Sequence, residues 1–405
     1  MAELEKILSE KTKAIRAIYI SSYIPRKCGI ATFTKDLTNA INLLNPHALA
    51  EIMAIVRPNE EIDYPWEVKF KIVQDDLNTY LRAADYINQS SADLVVLEHE
   101  HGLFGGRHGE YIVPFCETLN KPLVVTFHTV PEDSNSEPAN ILKRLAGKAD
   151  AITVMMENIR QKLIQDYQIS NEKIVTIPHG TPDLPFGPNE PYKRKRRLLN
   201  RLVLGNINLL TPSRGIEYAL EAVALIAKRY PNVLYLIIGQ THPVYLEEHG
   251  EKYRDSLKKL IRKLKISKNV RFINKYIPFD QLVDWLKTLD FYITPYLDPQ
   301  QVSSGALAYA IGAGKCCIST PYIYAKENLA NQCGILVPFR DSQAIAEKVI
   351  ELWENPEKKE KIERNAYDRG RLMTWANVAM RHLNLFRMIL KTKNGENCQP
   401  TNPKS

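Results

Sequence analysis

The chain has 405 residues, with 54 Lys plus Arg against 46 Asp plus Glu, a formal balance of +8. Apolar residues make up 44%, charged residues 25% and aromatic residues 9%, which excludes a disordered or collagen-like chain and allows two or three domains. Six scattered cysteines without C-x-x-C spacing, two of them adjacent (Cys316 and Cys317), exclude a small disulfide scaffold and favour a reducing compartment.

The first twenty residues alternate charged and apolar positions, so no signal peptide or targeting helix is read there and a cytoplasmic location is expected. Short β-rich runs then alternate with amphipathic stretches, the pattern of βα units whose parallel sheet is covered on both faces. Strands are predicted over 15–20, 51–56, 94–97, 123–127, 151–154 and 174–177, forming one doubly wound domain over 1–190. Within 180–201, Pro182, Pro185, Pro188 and Pro191 recur every third residue before a basic run at 193–197, which predicts a solvated linker. Further strands over 202–208, 233–238, 270–273, 291–294, 316–319 and 335–337 predict a second Rossmann-like domain over 191–372. A helix over 373–392 and a disordered tail over 393–405 complete the reading. The longest apolar runs, such as VLYLII at 233–238, are strand length, well short of the ~20 residues that cross a bilayer.

Open parallel sheets bind ligands beyond the carboxyl ends of their strands, so the βα junctions carry the candidate sites. The first junction places Arg26, Lys27 and Cys28 before Gly29, where a helix opens. Backbone N–H groups and the helix dipole there suit an anion or a sugar hydroxyl, although a long solvated loop accounts for the same residues. After the strand at 94–97, Glu98 and Glu100 alternate with His99 and His101. This predicts two same-side pairs suited to hydroxyl recognition in preference to a metal, with a solvated loop as the alternative. His128 follows the next strand, beside the same edge. His179 closes the first domain, where it contacts ligand or caps the domain, and the structural role is the favoured reading. In the second half, Arg214 precedes a helix and presents a fork of donors for a diphosphate. Ser303, Ser304 and Gly305 open another helix, where the serines cap it or hold phosphate.

The charge of +8 favours phosphates, an anionic membrane face or nucleic acid as partner and argues against a cationic substrate. Nucleic acid ranks low, because the run at 193–197 lacks interleaved aromatics, a zinc pattern or a recognition module.

Taken together, PRKCGIATFTKDL (25–37), EHEHGLFGG (98–106), TFHTV (126–130), TPSRGIEYALEA (211–222) and SSGALAYAIGAGKCCISTPY (303–322) resemble the retaining glycosyltransferases of family four. The resemblance runs from Ile15 to Leu390. It implies an α/β protein of the GT-B fold, in which two doubly wound Rossmann-like domains face each other across a cleft and C-terminal helices follow. The final helix would cross back to the first domain. It also implies an acceptor-binding first domain, a nucleotide-sugar-binding second domain, and no metal or other cofactor beyond the nucleotide diphosphate sugar as substrate. Carried over by position, Gly29 approaches donor or acceptor, His128 lies beside the reacting sugar, and Arg214 meets the diphosphate. Ser303, Ser304 and Gly305 precede the donor helix, and Glu327 lies near a donor-side carboxylate position. Two family glutamates are replaced by Gln301 and Tyr309, and Asn208-Leu209 replaces a glycine-arginine pair. Gln301 retains hydrogen-bonding capacity toward a sugar hydroxyl, and Tyr309 retains stacking and donor capacity.

The expected activity is hexosyl transfer, with mannose or glucose favoured, from a nucleotide sugar to a carbohydrate hydroxyl with retention. His128, Arg214 and Gln301 are the expected catalytic residues, and Glu98, Glu100 and His101 the acceptor-binding ones. Peripheral membrane contact is compatible with the charge. The alternatives are a weakly catalytic sugar-binding or nucleotide-sugar-binding protein, and a same-fold nucleotide-sugar epimerase.

Overall fold

A computed structural model describes residues 14–393; of the tail predicted over 393–405, Lys393 ends a helix and the rest lies outside the described residues. The chain divides into two compact units. The first comprises the chain up to Pro178 together with the segment from Trp375 onward, and the second is His179–Thr374.

The first unit is built on a parallel sheet of β1 (Ala17–Ser21), β2 (Glu51–Val56), β3 (Val68–Val73), β4 (Leu94–His99), β5 (Leu123–Phe127), β6 (Ala151–Val154) and β7 (Ile174–Thr176), in the order β3-β2-β1-β4-β5-β6-β7. The inner strands are apolar until their carboxyl ends and buried on both faces, which is how a helix-covered parallel sheet must read. β3 was absent from the predicted elements: it is an edge strand whose Lys69 and Lys71 are exposed, so VKFKIV lacks the apolar run of its neighbours. β4 is longer than predicted. Its register continues as Glu98↔Thr126 and His99↔Phe127, so two residues expected in a loop lie inside the sheet.

Helix Gly29–Leu44 buries Phe33, Leu37 and Ile41 at helical spacing. It packs against helix Trp375–Lys393, where the Trp375 ring meets Phe33 edge-on at 5.5 Å. The same C-terminal helix buries His382, Leu383 and Phe386.

In the second unit, β8 (Leu202–Ile207), β9 (Val233–Ile238), β10 (Val270–Ile273), β11 (Phe291–Thr294), β12 (Cys316–Ser319) and β13 (Ile335–Leu336) pair in parallel in the order β10-β9-β8-β11-β12-β13. One face is covered by helices Ile216–Arg229, Lys252–Lys263 and Ser342–Trp353, whose buried side chains join Leu204, Tyr235 and Phe291 in one core.

The predicted linker is not a solvated strap. The contacts divide the chain after Pro178 and not after residue 190, because Thr181 bridges to Thr374 and its N–H donates to Met373 O at 2.8 Å. Helix Glu190–Lys195 follows, started by a proline in its first turn where no N–H is needed. Lys193 is buried, with its ammonium 2.8 Å from Asp290 Oδ2, and Lys195 and Arg196 both reach Asp284. The physical reason is Asp290 itself. Enclosed just before β11, it accepts from Lys193, from Asn189 Nδ2 (2.6 Å) and from the Val203 amide (2.7 Å), so the basic run supplies its counter-charge.

Among the described residues no helix is long and apolar enough to cross a membrane, and Cys28, Cys116, Cys316, Cys317 and Cys333 are free thiols.

Two outcomes test this packing. Asp290→Ala leaves Lys193 buried without its partner and lowers unfolding free energy by about 3–5 kcal/mol in denaturant titration. Burial also lowers the His382 pKa from 6.5 to about 4. Between those values the unfolded chain holds a proton that the folded chain does not, so stability rises with pH across that window and is lost on acidification. The drop in melting temperature from pH 7 to pH 5 is therefore smaller in His382→Leu than in the wild type.

Candidate active site

Each unit gathers polar side chains at the carboxyl ends of its strands. In the first unit the centre is Glu98 at the end of β4, with no solvent exposure. Its Oε2 lies 2.7 Å from Nε2 of His128, the residue after Phe127 that ends β5. The His128 N–H donates to His99 O at 3.0 Å, which fixes the residue against β4. The Phe33 ring meets the imidazole edge-on, 4.9 Å away. Glu98 was expected at the acceptor surface and instead lies beneath His128. One nitrogen of the imidazole is thus committed to the protein, and only Nδ1 remains for a ligand. Tyr19 on β1 stands near enough for Glu98, together with burial, to push its phenol pKa up.

Glu100 lies just beyond the strand and accepts from Thr129 Oγ1 at 3.3 Å; burial raises its pKa. His99 and His101 do lie together as the alternation implied, with ring centroids 5.0 Å apart. The His99 ring stacks on Phe104, and burial holds both histidines toward the neutral form. Neither ring has a polar partner for its nitrogens.

At the first junction, Cys28 caps helix Gly29–Leu44 by accepting from the Ala31 amide, and it also bonds Ser22 Oγ at 3.1 Å. A Cβ on Gly29 would meet nothing within 4 Å, so the glycine leaves room in front of the first helical turn. Arg26 donates to Ile55 O at 3.1 Å.

In the second unit, Arg214 ends a short turn that Gly215 closes at φ +60. A Cβ there would stand 2.1 Å from Pro295 O, so only glycine lets the turn approach β11 this closely. The Arg214 guanidinium lies 4.5 Å over the Tyr296 ring, itself stacked on Tyr322, and its Nη1 donates to Gln301 Oε1 at 3.1 Å. Gln301 Nε2 donates onward to Ser303 O at 2.8 Å, and the Ser304 hydroxyl caps helix Gly305–Gly312. Arg214, Gln301, Ser303, Ser304 and Gly305 therefore form one connected group. Tyr324 N donates to Gln301 O at 3.1 Å, which ties helix Ile323–Asn328, the carrier of Glu327, to the same loop.

The sequence reading placed His179 apart from the site. The structure packs its ring against the donor-helix entry: a Cβ on Gly305 would stand 2.9 Å from Nε2, and the Tyr309 ring lies 6.1 Å away. Nδ1 donates to Gly180 O at 2.7 Å.

One further feature was missed. Both amide atoms of Asn206 and of Asn208, beside the expected Arg214 with its Nε, are buried with no protein partner, and all belong to the carboxyl-end side of this sheet. Buried polar atoms without partners are uncommon and mark places where a ligand or water completes the bonding. Asn206 carried a readable signal, a polar residue inside the apolar run of β8.

Among the described residues no group of three or more His, Cys, Asp or Glu is arranged to hold a metal ion.

Residues 189–369 match the family Glycosyl transferases group 1, and residues 47–183 match Glycosyltransferase Family 4. The chain belongs to the family-four glycosyltransferases. It is 22% identical over 321 residues to a D-inositol 3-phosphate glycosyltransferase of Corynebacterium glutamicum, covering 74% of this chain and 73% of that one. Among solved structures it resembles the sucrose-phosphate synthase of Thermosynechococcus elongatus, with a TM-score of 0.74 and 16% identity over 93% of this chain and all (100%) of that one. It also resembles Anabaena HepE in complex with UDP and glucose, with a TM-score of 0.72 and 14% identity over 92% of this chain and 100% of that one. The two Rossmann-like sheets are those of the GT-B fold.

This glycosyltransferase should be sensitive to Glu98. Glu98→Ala leaves His128 Nε2 buried and unpaired, which costs about 1–3 kcal/mol, whereas Glu98→Gln restores a partner and most of that loss. Urea unfolding of the two variants checks the order; equal stability of both with the wild type would contradict it.

Proposed function

We propose that the protein transfers a hexose from a nucleoside diphosphate sugar to a carbohydrate hydroxyl, with retention at the anomeric carbon and with mannose or glucose as the first sugars to try. The observation that carries this reading is Arg214, a cation fixed at a strand's carboxyl end by a neutral amide and an aromatic ring. It stands beside the capped entry of helix Gly305–Gly312. A fixed cation and a helix N-terminus together stabilise the negative charge that grows on a departing diphosphate, which is electrostatic catalysis by preorganised donors. Ser303, Ser304 and Gly305 would contact the phosphates, while Tyr309 and Glu327 would border the nucleotide. In this chemistry Arg214 supplies the positive charge, and no cofactor takes part beyond the substrate.

In the first unit, His128 would present Nδ1 to a hydroxyl of the reacting sugar, with Glu98 holding the ring. Glu100 and His101 would orient the acceptor, and Gly29 would give it room. The Glu100 carboxylate, whose pKa burial raises, suits acceptance from a sugar hydroxyl. UDP-sugars come first in a donor panel, because a structurally similar protein is known in complex with UDP and glucose. The free thiols fit a reducing, cytoplasmic setting.

The purified chain, given UDP-, GDP- and ADP-linked glucose or mannose with mono- and oligosaccharide acceptors, should release nucleoside diphosphate only when both substrates are present. Proton NMR of the product should show the donor's anomeric configuration. Arg214→Ala should reduce kcat/KM at least a hundredfold, about 2.7 kcal/mol at the transition state. Nucleotide binding without turnover on any pair would instead favour a binding protein, and turnover without acceptor an epimerase.

A further inference from the structure

Gln301 stands next to a cation of the second unit, and both ends of its amide are already engaged by the protein. Oε1 accepts from Arg214 Nη1 and Nε2 donates to Ser303 O, while its backbone carbonyl accepts from the Tyr324 amide. The side chain is therefore held at both ends and the residue at a third point. Such a group holds its neighbours in a fixed orientation.

Its neighbour is held by neutral groups. The partners of Arg214 are the Gln301 amide and the Tyr296 ring, and its Nε is buried without a partner. Among the described residues no carboxylate stands within ion-pairing distance of it. In the same unit the buried Lys287 and Lys315 likewise donate to carbonyls, whereas Lys193, Arg196 and Arg254 each have a carboxylate. A guanidinium bonded to a neutral amide keeps its whole charge for an incoming anion. A carboxylate in the same place would form a charge-assisted pair with it, and the two fields would largely cancel at the ligand.

We infer that Gln301 is a positioning residue that orients Arg214 while leaving it un-neutralised, and thereby sets the affinity of the second unit for the diphosphate of its substrate. The inference rests on the reading of Arg214 as a diphosphate site. It assigns Gln301 a role different from contact with the sugar. Charge, more than shape, is the property conserved by the amide, because glutamate has nearly the same size and could accept the same Arg214 hydrogen bond. The Ser303 carbonyl is a second reason for an amide: it needs a donor, which glutamate lacks once ionised.

The test measures binding of inorganic pyrophosphate, UDP and uridine to the full chain by titration calorimetry, for the wild type, Gln301→Glu, Gln301→Ala and Arg214→Ala. Gln301→Glu should weaken pyrophosphate and UDP at least tenfold and leave uridine unchanged, which also shows that the variant is folded. Gln301→Ala keeps the cation but loosens it, so its loss should be about two- to threefold, and raising the salt from 50 mM to 500 mM should cost it more affinity than it costs Gln301→Glu. Gln301→Glu binding pyrophosphate as tightly as the wild type, or Gln301→Ala losing as much as Gln301→Glu, would overturn the role of charge at this position. Failure of the wild type to bind either phosphate ligand, with Arg214→Ala no different, would overturn the diphosphate reading and this inference with it.

Discussion

A parallel strand covered by helices on both faces has no solvated side, so its polar side chains have to collect where the strand ends. Both units obey this constraint. Within β1, β4 and β5 the chain is apolar until Ser21, Glu98 and Thr126, and within β8 and β11 until Asn206 and Thr294. The turns that follow these strands supply His128 in one unit and Arg214 in the other. The candidate site is thus a by-product of how the sheets bury themselves, and its chemistry depends on which polar residues the strand ends carry.

The two units manage charge in opposite ways. In the first, Glu98 is enclosed and spends one oxygen on His128, which fixes the ring while leaving one nitrogen free. In the second, Arg214 is fixed by an amide and an aromatic face, so its charge is undiminished. A histidine held by a carboxylate is suited to reading a hydroxyl, since the partner decides which ring nitrogen carries the proton. An arginine held by neutral groups is suited to a dianion. Under the proposed transfer, a neutral sugar hydroxyl and a charged leaving group would fall to different residues.

Much of the fold could be read from sequence, because strand-length apolar runs alternating with amphipathic stretches have few other outcomes. Twelve of the strands were found that way; β3 escaped because an edge strand with alternating lysines imitates a loop. Glu98 and His99 were placed outside β4 since ionisable residues ordinarily end a buried run, and only the pairing with Thr126 and Phe127 extends it. The basic run around Lys193 looked solvated because its counter-charge, Asp290, lies almost a hundred residues away in sequence. The positions of Arg214, Gln301 and the serines were all foreseen, but their mutual contacts were not. Sequence spacing cannot say that Gln301 turns its amide toward residue 214.

The division of the chain carries a consequence for synthesis. The first unit is assembled from two separated stretches, up to Pro178 and from Trp375 onward, with the whole second unit encoded between them. As the polypeptide leaves the ribosome, the first sheet can form early, but helix Gly29–Leu44 lacks the C-terminal helix it packs against, whose Trp375 meets Phe33. That face stays uncovered until about two hundred further residues are made, and an open apolar face is prone to association while it waits. A nascent chain stalled inside the second unit would therefore be a target for chaperones through the first.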